Sequence, residues 1–74
     1  MSSPDTSFNL HIAAIMDTID AIKEEIRRTE TILVESRDNY RKNPDQYSAK
    51  LLLLSTENYL ADLLRKLDAL TSTK

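Results

Sequence analysis

Glycine is absent from the whole chain, and proline stands only at Pro4 and Pro44. Those two are the only strong breaks in 74 residues, and both suit the start of a helix. Two long segments remain between and after them. The question is whether each carries the period of a helix.

The first does. From Phe8 the apolar residues fall at Phe8, Ile12, Ile15, Ile19, Ile22, Ile26, Leu33 and Tyr40, in alternating steps of four and three, with polar Thr29 and Ser36 in the two remaining places. This is a heptad stripe, and it predicts a helix over about 7–42. Asp17, Asp20, Glu24, Arg27, Arg28, Glu35 and Asp38 all lie off the stripe, as a solvated face requires. Glu24 with Arg28 and Asp38 with Lys42 form acid-first pairs at the supporting spacing, and Arg41 and Lys42 suit the negative end of the helix dipole.

The stretch Asn43 to Gln46 reads as a stop and a new start. Asn43 can cap, Pro44 fits a first helical position, and Gln46 follows the cap like the acceptor of a capping box. The expected turn is about 43–44, with helix two over about 44–70. So short a connection makes the helices antiparallel neighbours. The predicted fold is therefore all-α: a single coiled-coil-like hairpin over residues 1–74, completed by a partner or by homodimerisation.

Ala49, Leu53, Leu60, Leu64 and Leu67 share a narrow arc of helix two and are the natural mate for the isoleucine stripe. Pairing outward from the turn sets Tyr40 near Tyr47, Leu33 near Leu53, Ile26 near Leu60 and Ile19 near Leu67. The predicted hairpin core is Ile12, Ile15, Ile19, Ile22, Ile26, Leu33, Leu53, Leu60, Leu64 and Leu67.

Leucines are left over. Leu51, Leu52, Leu53 and Leu54 are consecutive, and at about 100° per residue they point almost all the way round a helix. Leu52, Tyr59, Leu63 and Leu70 form a second stripe, while Leu51, Leu54 and Tyr47 take another flank near the turn. Each fully buried leucine is worth roughly 1.5–3 kcal/mol, and a chain of this size draws only about 3–5 kcal/mol from its own core. A surface for a protein partner is expected at Leu51, Leu52, Leu54, Tyr59 and Leu63.

Other chemistries lack their residues. With no cysteine there is no disulfide and no thiolate metal site, and the single histidine, His11, has no ligand-spaced companion. The cluster Asp17, Asp20, Glu24 and Glu25 reads as a solvated face, since di-iron bundle sites need inward glutamates with Glu-x-x-His pairs. Serines and threonines have no neighbouring base, and no glycine-rich loop can hold phosphate. The chain is expected to be non-enzymatic, without catalytic residues, cofactor or metal. A net charge of -2 gives no nucleic-acid footprint, and no apolar run reaches the roughly 20 residues of a membrane span. The first residues lack the basic and apolar regions of a signal peptide, which makes the cytoplasm the expected location.

One family shares these residues. An acidic helical hairpin whose second helix opens on Pro44, Gln46 and Tyr47 and runs into Leu52, Leu53 and Leu54 resembles the type III secretion needle co-chaperones of the YscE, PscE and SsaE type. The likeness covers roughly Thr29 to Leu70 and is strongest over Asn43 to Leu54. It implies a cytoplasmic chaperone subunit in protein transport. Such a subunit binds a tetratricopeptide-like chaperone, and the pair holds the needle subunit unpolymerised in a ternary complex. The alternatives are a structural homodimer in which two hairpins form a four-helix bundle, and a small helical regulator acting by helix-in-groove binding.

Overall fold

A computed structural model of the chain describes the backbone of residues 4–72 and the side chains of residues 14–72. It is an all-α, two-helix hairpin. Helix α1 runs Pro4–Lys42 and helix α2 Tyr47–Thr71, packed antiparallel against each other. Of the expected stripe, Phe8 and Ile12 lie outside the described side chains, as do Leu10 and His11.

The connection is longer than the sequence suggests, and Asn43 serves the other helix. Its backbone N–H donates to the Asn39 carbonyl at 2.9 Å and its side-chain amide donates to the same oxygen at 3.1 Å, closing the end of α1. The Gln46 N–H donates to the Asn43 carbonyl at 3.1 Å, so Asn43 to Gln46 form a β-turn with Pro44 at the second position, where its fixed φ belongs. Gln46, not Asn43, stands at the N-cap of α2, in extended conformation and with no side-chain cap bond. The capping box expected at Asn43 and Gln46 does not form, because Pro44 is used by the turn and helix two starts three residues later, at Tyr47. No described residue has a positive φ, so the turn works without glycine.

Those three residues reset the register. Folding about the turn sets Tyr40 level with Ala49, Ser36 with Leu53, Leu33 with Thr56, Thr29 with Leu60, Ile26 with Leu63, Ile22 with Leu67 and Ile19 with Leu70. These fourteen are the seam, and each is buried or partly buried. Two cross-helix contacts bracket it: Tyr59 with Glu25 on one flank, and Arg37 with Glu57 on the other. Relative to the expected pairing, α2 has slid by close to one helical turn.

The slide changes which leucine is core. Leu63, expected at the partner surface, is 5% exposed, and Leu64, expected in the seam, is 49% exposed. Tyr47, expected against Tyr40, points to solvent from the outer face of α2. Ile15 is on the stripe yet exposed: at the hairpin's register Thr71, the last residue of α2, comes level with Thr18, so the helix ends short of Ile15.

The seam is tight where its residues are small. Thr29, Ser36, Ala49 and Thr56 are all buried, and the two threonines satisfy their hydroxyls by donating to carbonyls one turn back, Glu25 and Leu52, at 2.7 Å each. The Ser36 hydroxyl is buried without a hydrogen-bond partner.

Candidate partner-binding surface

With the seam complete, the run Leu51–Leu54 divides. Leu53 turns inward, while Leu51, Leu52 and Leu54 are 51%, 48% and 46% exposed. They serve two surfaces. Tyr47, Leu51 and Leu54 are spaced four and three apart and form a stripe on the back of α2, away from α1. Leu52 and Tyr59, seven residues apart, lie on one flank of the hairpin, and Leu64 with the Arg37–Glu57 pair, 4.0 Å apart, lies on the other.

The Tyr59 flank carries a groove. A groove of about 330 Å³ opens between the helices, lined by Glu25, Arg28, Ile32, Ser55, Thr56 and Tyr59 among others. The Tyr59 hydroxyl donates to Glu25 Oε2 at 2.7 Å and bridges the helices across one end. That bond holds the Tyr59 pKa above its ordinary value, since ionising the phenol would break it and set two negative charges together. Ile32 and Tyr59 are both half-exposed along this groove.

Sequence reasoning missed Ile32 and Val34, the two exposed apolar residues either side of Leu33. The signal was present: three consecutive apolar residues in α1 repeat in miniature the problem of the four leucines. It also missed Thr56, whose place in the unbroken series Ala49, Leu53, Thr56, Leu60, Leu63, Leu67 and Leu70 identifies the correct phase.

Most of the ion pairs run along a single helix. Glu24, Arg27 and Arg28 pair along α1, as do Asp38, Arg41 and Lys42. Lys42 and then Arg41 hold the Asp38 pKa below the usual carboxylate value by hydrogen bonding to its charged form. Glu24 with Arg28 and Asp38 with Lys42 are the acid-first pairs expected from sequence. Among the described residues no group of three or more His, Asp or Glu could hold a metal ion, and no helix is long and apolar enough to cross a membrane. The arrangement offers apolar contact and shape.

Comparison with protein-family models, curated proteins and solved structures found no match to this chain.

Proposed function

We propose that this chain is a non-enzymatic co-chaperone that binds and stabilises a tetratricopeptide-like chaperone, the two together keeping a type III secretion needle subunit unpolymerised in the cytoplasm. One observation carries the reading: Leu51, Leu52 and Leu54 stay about half exposed on a hairpin whose own seam is already filled. The turn motif of Pro44, Gln46 and Tyr47 directly before them is what selects this partner class by resemblance.

Repeat proteins end in an apolar face that needs a cap, and a rigid helix bearing half-exposed leucines has the matching chemistry. The contact set is Leu51, Leu52, Leu54 and Tyr59, joined by Tyr47 on the back stripe; Leu63 drops out because the hairpin itself buries it. Co-expression with a repeat-type chaperone and the needle subunit of a secretion locus tests the proposal. A stable ternary complex on size exclusion is the expected result, and no complex with a folded hairpin would overturn it.

A further inference from the structure

We infer that the hairpin has a second setting, in which α2 stands one helical turn further toward the N-terminal end of α1, and that the two side-chain contacts crossing the seam hold the described one. The stripe pattern, an uncovered isoleucine and the turn each lead to it.

The pattern permits the move. Both stripes repeat in alternating steps of four and three, so a slide of half a heptad, about 5 Å, turns α2 through about 350° and presents the same residues inward again. Ser36 would then meet Ala49, Leu33 would meet Leu53, and Thr29 would meet Thr56. Further on, Ile26 would meet Leu60 and Ile22 would meet Leu63, so Leu63 stays in the seam in both settings.

The far end gains what the turn end loses. Ile15 belongs to the stripe but is exposed, since α2 ends short of it. The slide brings Leu70 level with Ile15 and withdraws Ala49 from Tyr40, so every seam residue of α2 keeps a partner on α1. Ser36 favours the same move, because its buried hydroxyl has no hydrogen-bond partner opposite Leu53 and would lie under a smaller side chain opposite Ala49.

The turn can supply the length. In the described setting α2 begins at Tyr47 with no side-chain cap bond and no acidic residue in its first turn. Drawing α2 along α1 lets Pro44, Asp45 and Gln46 join it as a new first turn, with Asn43 as cap and Asp45 at the positive end of the dipole. Asn43 would give up its bonds to Asn39 in exchange.

Two contacts oppose the slide: Tyr59 with Glu25 at 2.7 Å, and Arg37 with Glu57 at 4.0 Å, both broken by a displacement of about 5 Å. Packing opposes it too, since Thr29, Ser36 and Thr56 each face a leucine now, and small against large fills a layer better than threonine against threonine. The described setting is therefore the resting one. The groove between Ile32 and Tyr59 is shared by both helices and is remade by the slide, whereas Tyr47, Leu51 and Leu54 belong to α2 alone and keep their arrangement. A ligand of the groove would select a setting.

Spin labels at Lys23→Cys and Lys50→Cys read the slide by pulsed electron resonance, because both positions are exposed, one on each helix, and the chain has no other cysteine. Dilution into unlabelled chain restricts the distances to single molecules. Two populations about 5 Å apart are expected, the longer one dominant. Tyr59→Phe with Arg37→Ala should enlarge the shorter population, and Asp45→Lys, which sets a cation at the new helix start, should shrink it. A single distance that these substitutions leave in place overturns the second setting, as do two distances whose proportions they do not move. The two settings do not rest on the proposed function, and chaperone capture is read separately, so either can fail alone.

Discussion

The inner and outer faces of helix α2 are made of the same residue and do opposite things. Leu53, Leu60, Leu63 and Leu67 close the hairpin, whereas Leu51, Leu52, Leu54 and Leu64 stand half in water. The seam meanwhile gives several of its most buried places to Thr29, Ser36 and Ala49. A chain that sought only to fold alone would place leucine inside and polar residues outside. Here the side chains best able to stabilise are divided between the seam and the surface, so the isolated hairpin holds only part of the stability its composition allows.

The sharpest way to break this comparison is to shorten neighbouring leucines. Leu63→Ala should cost about 2–5 kcal/mol, enough to abolish cooperative unfolding in so small a core, while Leu64→Ala should cost less than about 1 kcal/mol. Urea titration followed by circular dichroism reads both, and the reverse order would mean that α2 sits in the other register.

The outer face should answer to binding and not to folding. Leu51→Asp together with Leu54→Asp is expected to abolish capture of the repeat-type chaperone while leaving helicity in place. Loss of the far-ultraviolet helix signal would instead put these leucines in the fold.

A smaller effect runs in the stabilising direction. Ser36→Ala removes a buried hydroxyl that has no partner and should stabilise by about 1 kcal/mol, a rise of roughly 4–8 °C in melting temperature. A fall would show that the hydroxyl is satisfied.

The smallest effect is one of pH. Tyr59 has a folded-state pKa above its unfolded value, so its bond to Glu25 contributes fully below the unfolded phenol pKa and is lost as pH rises through the raised folded one. Asp38 runs the other way: its contribution is present above the unfolded carboxylate pKa and disappears as pH falls through the lowered folded value. Both groups are on the surface, so both changes are slight. Tyr59→Phe should remove the alkaline step expected in melts above about pH 10, and a step unchanged by this substitution would show that the bond to Glu25 does not carry it.

The fold was legible because the absence of glycine and the isoleucine stripe each demand long helices, and neither depends on fine geometry. The phase of α2 was not legible in the same way. Four successive leucines satisfy any phase, so the choice between Leu63 and Leu64 passed to the turn, and Pro44 has two good uses there: first residue of a helix or second residue of a β-turn. Thr56 was the one residue able to decide, because only one phase continues unbroken through it. Ile32 was hidden for the same reason as the leucines, since a stripe that already contains Leu33 leaves its neighbour unassigned.

The turn from Asn43 to Gln46 thus acts as the hairpin's selector. Deleting one of its residues would rotate α2 by about 100° relative to its own chain start, exchanging the leucines that are kept for those that are offered without altering a single side chain in the helix. The length of the connection therefore sets which leucines the hairpin buries and which it leaves on its surface, and a designer can redirect that surface by varying loop length.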